Sequence, residues 1–279
     1  MKGQNIMKNE LVVVRGGGDI ATGTIYKLRK CGYKVLVLET DKPSAIRRNV
    51  AFSEAVYEGS WKVEDITARL AKNIEEAEEI MEAGDVAVMI DPFCESLKYL
   101  KPVALVDGIL AKKNLGINRT MAPVTIALGP GFVAGEDVDA VIETMRGHQL
   151  GRIILEGTAI PNTGIPGAVA GFTKERVIHA PAAGILRNVS HVTDTVKKGQ
   201  TIAYIEAEEG RVEVTATLDG LLRGLIRDGY EVTKGFKIAD IDPRIEEYEN
   251  CFTISDKARC IAGGVLEAIL YLQNQKQMK

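Results

Sequence analysis

The chain has 279 residues, of which 46% are hydrophobic and 26% charged, a composition that supports a folded core and excludes a disordered protein. Its 38 acidic residues outnumber its 35 Lys and Arg, and at a net charge of −3 it has no basic field that would attract nucleic acid or an anionic membrane. Neither nucleic acid nor a membrane is therefore expected as a partner.

Short apolar runs of about five residues fall well below the roughly twenty that a membrane-spanning helix needs. The first residues, MKGQNIMKNE, lack the apolar segment of a signal peptide. The 4 cysteines form no C-x-x-C pair, and the 3 histidines show no metal-ligand spacing. These features predict a cytoplasmic protein with no metal site of its own, so that any metal would arrive inside a bound cofactor.

Apolar, β-branched runs alternate with helical segments in the first two thirds of the chain. Such runs are typical of strands buried on both faces, as in parallel sheets. Strands are predicted at Leu11–Val14, Val35–Leu38, Val86–Ile90, Val103–Val106, Val124–Leu128 and Arg152–Leu155. Helices are predicted at Ile20–Arg29, Glu64–Glu82 and Val138–Met145. The alternation predicts an α/β fold with a Rossmann-like, doubly wound, mostly parallel sheet over residues 9–172.

An internal repeat follows, in which Val177–Glu206 aligns without gaps on Glu213–Asp242 at an offset of 36 residues. Two copies indicate one supersecondary unit used twice. The segment Ile205–Gly220 resembles the central hairpin of biotinyl and lipoyl carrier domains, although Glu209 stands where those domains carry the modified lysine. Residues 173–242 are therefore predicted to form a small all-β, biotinyl/lipoyl-like barrel-sandwich module without a carrier lysine.

The C-terminal segment, residues 243–279, is predicted to pack a helix back on the first domain. Ser255 is a suitable N-cap, and apolar residues recur on one face of Lys257–Leu272. The pair Gly263-Gly264 inside this helix costs about 1 kcal/mol per glycine relative to alanine, which indicates that another segment approaches the helix closely there.

The first predicted strand runs directly into a glycine-rich turn with the sequence RGGGDIA. A tight turn, a close backbone approach and a helix N-terminus together suit a pyrophosphate, and an acid at the end of the second strand suits ribose hydroxyls. The alternative is a strand-to-helix turn with no ligand, since Asp19 could repel phosphate. The residues predicted to bind a nucleotide or dinucleotide here are Gly16, Gly17, Gly18, Asp19 and Glu39.

Other strand ends are expected at the same edge of the sheet. Gly129 and Gly131 form a second glycine-rich turn that could hold the other half of a dinucleotide. Asp107 could bind the ligand or cap a turn, whereas capping is favoured for Asp91. Arg47 and Arg48 could clamp phosphate, or they are a solvated pair.

Cys94 follows the predicted strand end at Asp91. A reactive thiol is one interpretation, and a buried, inert thiol is the favoured one, because no cationic neighbour in sequence would lower its pKa.

The motifs RGGGDIATG, AIRRNVAFSEAVYEG, GPGFVAGEDVDAVIETMRGH, PNTGIPG and TISDKARCIAGGVLEAIL occur in this order along nearly the whole chain. With them the chain resembles the YqeB-type accessory proteins of the selenium-dependent molybdenum hydroxylase system. That family is similar to the xanthine dehydrogenase accessory proteins that handle molybdenum cofactor. The resemblance implies a role in maturation of a molybdenum hydroxylase and that hydroxylase as a partner, and it assigns no catalytic residue.

The leading hypothesis is an accessory protein that binds a nucleotide-bearing ligand at the glycine turns, with molybdopterin dinucleotide as the cofactor that the resemblance implies. An NAD(H)-dependent oxidoreductase is the alternative, although no acid–base constellation is evident beside the turns. A structural adaptor that docks the hydroxylase is a third hypothesis. The sequence decides neither whether the chain is an enzyme nor whether it forms a homo-oligomer.

Overall fold

A computed structural model describes residues 10–164 and 167–278. The chain divides into two compact units. The first takes in the chain up to Pro43, Ala51–Asn162 and the chain from Ile254, and the second takes in Ser44–Val50 and Thr163–Thr253. The domain boundaries predicted from the sequence, after residues 172 and 242, differ from these. Ile165 and Pro166 of the PNTGIPG motif, and the N-terminal residues that bear on a signal peptide, lie outside the described residues.

The first unit is built on a nine-stranded sheet in the order β3-β4-β5-β2-β1-β6-β7-β8-β9. The seven strands from β4 to β8 in this order are parallel to one another, and the edge strands β3 and β9 each pair antiparallel. The strands are β1 Leu11–Arg15, β2 Lys34–Glu39, β3 Ser60–Val63, β4 Ile66–Ala71, β5 Val86–Ile90, β6 Ala104–Asp107, β7 Val124–Leu128, β8 Ala140–Ile142 and β9 Ile153–Ile154.

The described part of the chain has four α-helices, all in the first unit, and three of them are longer than one turn. The helices are α1 Asp19–Lys30, α2 Ala55–Glu58, α3 Ile74–Glu82 and α4 Asp256–Gln277. Short 3-10 turns lie at Arg48–Val50, Phe52–Glu54, Glu95–Lys98, Lys174–Arg176 and Ile245–Cys251. None of the helices in the described part of the chain is long and apolar enough to cross a bilayer.

The predicted Rossmann-like, doubly wound sheet is wrong, because the sheet is mixed and no α-helix lies in the described connections β6–β7 and β7–β8. The segment predicted as one helix, Glu64–Glu82, is the strand β4 followed by α3. The segment Val138–Met145, also predicted as a helix, contains β8. Apolar runs reveal buried strands but not their direction, and helical spacing across a strand–turn boundary imitates a helix.

Helix α4 packs against α1 within the first unit. A Cβ added to Gly23 of α1 would lie 2.7 Å from the Ala258 carbonyl oxygen, and one added to Gly264 would lie 2.1 Å from the Gly151 carbonyl oxygen. Gly263, by contrast, has only the Lys27 ammonium 3.8 Å from such a Cβ. The close approach expected at the glycine pair therefore occurs at Gly264. The side chain of Ser255 caps α4 by accepting from the Ala258 N–H at 3.2 Å.

The second unit contains two four-stranded antiparallel sheets, in the orders β10-β17-β15-β12 and β14-β13-β11-β16. The strands β10, β11, β12 and β13 recur at the 36-residue offset as β14, β15, β16 and β17. The strands are β10 Val177–His179, β11 Gly184–Asn188, β12 Thr195–Val196, β13 Thr201–Ala207, β14 Gly210–Thr215, β15 Gly220–Leu225, β16 Glu231–Val232 and β17 Lys237–Asp242.

The description of this region as a biotinyl-like module beside a Rossmann domain is also wrong. The resemblance rested on the β13–β14 hairpin, which is common to many antiparallel sheets and does not define a fold. The unit also includes Ser44–Val50 from far upstream, where the Ile46 carbonyl accepts from the Leu225 N–H at 2.9 Å. Sequence proximity could not assign that segment to this unit.

Candidate functional site

The ends of four adjacent parallel strands meet at one edge of the first sheet. Gly17 N–H donates to Glu39, and the Asp91 N–H donates to the Glu39 carbonyl at 2.9 Å. The Gly108 N–H donates to the Arg15 carbonyl at 2.8 Å. These bonds join the C-terminal ends of β5, β2, β1 and β6, and this edge is the candidate site.

The glycine turn leads from β1 into α1. Gly16 has φ +91°, a conformation that favours glycine. Gly18 is the N-cap of α1. Among the described residues, no side chain makes a cap hydrogen bond there, and no atom lies within 4 Å of a Cβ added to Gly18. The first N–H groups of a helix have no partners within it, and an uncapped N-terminus with open space before it suits an anion. Asp19 occupies the first turn of the helix.

Glu39 is half-buried and closes the glycine turn. Its Oε1 accepts from Gly17 N–H at 2.6 Å and its Oε2 accepts from Thr40 N–H at 2.9 Å. Burial raises the pKa of Glu39 above its ordinary value, and the two backbone hydrogen bonds oppose that shift. The Glu39 carboxylate therefore already accepts two backbone hydrogen bonds. A ribose hydroxyl would have to donate to the remaining lone pairs of the carboxylate oxygens.

Arg15 and Asp107 form a buried ion pair beside the turn, with Nη1 and Oδ2 at 3.2 Å and exposures of 5% and 2%. The Arg15 guanidinium also donates to the Pro92 carbonyl at 2.7 Å and to the Leu115 carbonyl at 3.1 Å. Burial raises the pKa of Asp107, whereas the hydrogen bond from the Ile109 N–H and the positive charge of Arg15 act to lower it. Sequence reasoning missed Arg15, because its partners lie far away in the chain.

Asp91 and Cys94 lie in the turn after β5. The Asp91 carboxylate accepts from the Glu95 N–H at 2.9 Å and the Ser96 N–H at 2.8 Å, which is the predicted capping role. Cys94 has φ +59° and is buried, and burial raises the pKa of its thiol to about 11. A group with this pKa is a protonated thiol at neutral pH.

The second glycine turn follows β7. A Cβ on Gly129 would lie 2.6 Å from Thr144 Oγ1, and one on Gly131 would lie 2.4 Å from the Lys112 carbonyl carbon. Both glycines have positive φ and pack closely against other segments of the same chain. Glu143, which sequence reasoning missed, is buried after β8 and accepts from the Met145 N–H at 2.7 Å and the Ile160 N–H at 2.8 Å.

Arg47 and Arg48 belong to the second unit. Arg47 is buried and donates to the Asn250 carbonyl at 3.1 Å, and Arg48 donates to the Leu225 carbonyl at 2.9 Å. The guanidinium groups thus bind backbone carbonyls of their own unit, an arrangement that neither interpretation of the pair anticipated.

Within the described part of the chain, no group of three or more His, Cys, Asp or Glu side chains is arranged to hold a metal ion. The donors at the candidate site are instead backbone N–H groups at a helix N-terminus. Chemically, this arrangement suits binding of a phosphate-like anion.

Comparison with curated proteins finds one relative that matches nearly the whole chain. The uncharacterized protein YqeB of Escherichia coli (strain K12) is 53% identical over 276 residues, which is 99% of this chain. The chain is thus similar to YqeB over nearly its whole length. The chain spans 50% of the length of YqeB, so the activity of the whole relative is a matter for proposal. No protein-family model matches the chain.

Other likenesses are weaker. A phosphoribosyl imidazole carboxamide isomerase of Deinococcus radiodurans is 27% identical over 158 residues, covering 55% of this chain and 64% of that enzyme. A succinylglutamate desuccinylase/aspartoacylase structure from Rhodobacter sphaeroides matches 84% of this chain and 85% of its own, with 14% identity and a TM-score of 0.29. The ectoine utilization protein EutE from Ruegeria pomeroyi matches 84% and 87%, with 10% identity and a TM-score of 0.25. At these levels the likenesses support no argument about fold or function.

Proposed function

We propose that the chain binds a nucleotide-bearing anion at the edge formed by β5, β2, β1 and β6, with its phosphate at the N-terminus of α1. The observation that carries the proposal is the helix N-terminus at Gly18. In the described part of the chain it has no side-chain cap, and no atom lies within 4 Å of an added Cβ. A helix N-terminus attracts an anion through its free N–H groups and its dipole.

The biological role proposed is that of an accessory protein in maturation of a selenium-dependent molybdenum hydroxylase. The support for this role is the resemblance of the ordered motifs to the YqeB-type accessory proteins. The 53% identity to YqeB over nearly the whole chain bears on the family and not on the role. Molybdopterin dinucleotide is a suitable ligand in this proposal, because it joins a pyrophosphate to a pterin and a base.

The ligand is tested by native mass spectrometry of the full chain, purified without added ligand, and by titration with NAD, GTP and a cytidine dinucleotide. A mass adduct or saturable binding of one nucleotide supports the proposal. The absence of any adduct and of any binding contradicts it. Binding of NADH with enhanced fluorescence, and of no other nucleotide, would favour the oxidoreductase instead.

The role is tested in cells that lack the native protein, by measuring hydroxylase activity after supply of wild type or Gly18→Val. The valine side chain would fill the open space before α1, so we expect loss of maturation. Gly263→Ala is the matched control, because its added Cβ meets only the far end of Lys27. Full maturation with Gly18→Val would instead favour the structural adaptor.

A further inference from the structure

The edge that carries the candidate site also exposes hydrophobic side chains. Phe93 is 77% exposed, Ile90 48%, Leu115 40% and Ile109 39%. We call these four residues the apolar rim. Single exposed apolar residues are ordinary, whereas several along one edge indicate a contact surface.

Hydrogen bonds and packing tie the apolar rim to the glycine turn. The Arg15 guanidinium donates both to the carbonyl of Pro92, which precedes Phe93, and to the carbonyl of Leu115. A Cβ on Gly16 would lie 3.1 Å from Ile109 Cγ1. The Asp91 N–H, next to Ile90, donates to the Glu39 carbonyl. The apolar rim and the uncapped helix therefore belong to the same edge.

The turn that carries Phe93 is held from both sides. Arg15 donates twice to the Pro92 carbonyl, at 2.7 and 3.1 Å. On the other side, Asp91 accepts from Glu95 and Ser96, and Cys94 is buried. The backbone on both sides of Phe93 is thus fixed, and its ring is accessible to solvent. An accessible aromatic ring on a fixed backbone is suited to stack on a planar ligand, because stacking needs no hydrogen-bonding group.

We infer that Phe93 is a stacking platform for the planar heterocycle of the ligand whose phosphate lies at Gly18. This inference rests on the proposed function and deepens it. The chemical class is a nucleotide recognised by its phosphate and by the face of its base, so different bases are accepted to similar degrees.

The test is calorimetric titration of the full chain with inorganic pyrophosphate and with CDP, ADP and GDP. We expect all three nucleotides to bind at least tenfold more tightly than pyrophosphate. Phe93→Ser should remove this preference and leave pyrophosphate binding unchanged, while Phe93→Trp should retain the preference. Tyr99→Ser is the matched control, since Tyr99 is 79% exposed but is not part of the apolar rim.

Equal affinity of wild type for pyrophosphate and the nucleotides, or an unchanged preference in Phe93→Ser, would overturn the inference. Pyrophosphate binding in that case would leave the phosphate site of the proposed function in place. If neither pyrophosphate nor any nucleotide binds, the proposed function fails as well, so the two failures are distinguishable.

Discussion

The backbone N–H of Gly17 donates to Oε1 of Glu39 at 2.6 Å, so the carboxylate at the end of β2 closes the turn between β1 and α1. The contact joins two residues that the sequence predicted to serve one ligand together. The contact also gives Glu39 a structural role, because its side chain accepts a hydrogen bond from an N–H group that would otherwise have no acceptor in the turn.

Glu39→Gln should change the pH dependence of stability. Burial raises the folded-state pKa of Glu39 above its unfolded value. The stability linked to this group is therefore fully present below the unfolded pKa and is lost as the pH rises through the folded pKa. We expect wild type to lose stability relative to Glu39→Gln across this acidic window, measured by urea unfolding at a series of pH values from about 4 to 8.

The exposed Glu209 provides the control, since Glu209→Gln changes the same chemical group in a turn between β13 and β14. This variant removes one acidic charge at an exposed position, so it separates the effect of burial from that of the change in net charge. A stability difference for Glu39→Gln that does not change with pH would show that folding does not raise the pKa of Glu39, which contradicts the prediction.

Cys94 should react slowly with iodoacetamide in the native protein. With a pKa of about 11, the thiolate is ~10⁻⁴ of the thiol at pH 7, and the side chain is buried. We expect peptide mass spectrometry to show labelling at least tenfold slower than at Cys260, which is exposed. The two rates should converge in urea. Native labelling of Cys94 as fast as that of Cys260 would support the reactive-thiol interpretation.

The two neighbouring glycines of α4 should respond in opposite directions to alanine. Gly264→Ala would place a Cβ 2.1 Å from the Gly151 carbonyl oxygen, so we expect overpacking to cost ~1–3 kcal/mol of unfolding free energy. Gly263→Ala meets no such obstacle and should gain about 1 kcal/mol, because alanine favours a helix. Thermal unfolding measures both. Equal shifts in the two variants would contradict the packing of α4 described above.

Local signals in the sequence predicted local structure well. The run Leu11–Val14 and the glycine turn after it became β1 and the start of α1, and Ser255 caps α4. The 36-residue repeat is present in the structure as four pairs of strands. Each of these features depends on neighbours in the chain, which periodicity and capping rules describe directly.

Contacts between segments that are far apart in the chain could not be predicted from the sequence. The Arg15–Asp107 pair joins residues on two strands, and Arg15 showed no distinguishing pattern within the run that precedes the glycine turn. The apolar residues of β4 and of α3, which lie on either side of Asn73, together follow a helical spacing. The strand was therefore predicted as part of a helix. The antiparallel direction of β9 depends on a turn whose geometry a short apolar run does not specify.

The most direct test of the central claim, an anion site at the N-terminus of α1, compares Gly18→Asp with Gly18→Asn. The two side chains have the same shape, and both are favoured N-caps, so both variants should be at least as heat-stable as wild type. In calorimetric titration with pyrophosphate, we expect wild type to bind, Gly18→Asn to bind more weakly and Gly18→Asp to show no binding, because its carboxylate occupies the anion position. Absence of pyrophosphate binding by wild type, or equal binding by the two variants, would contradict the account.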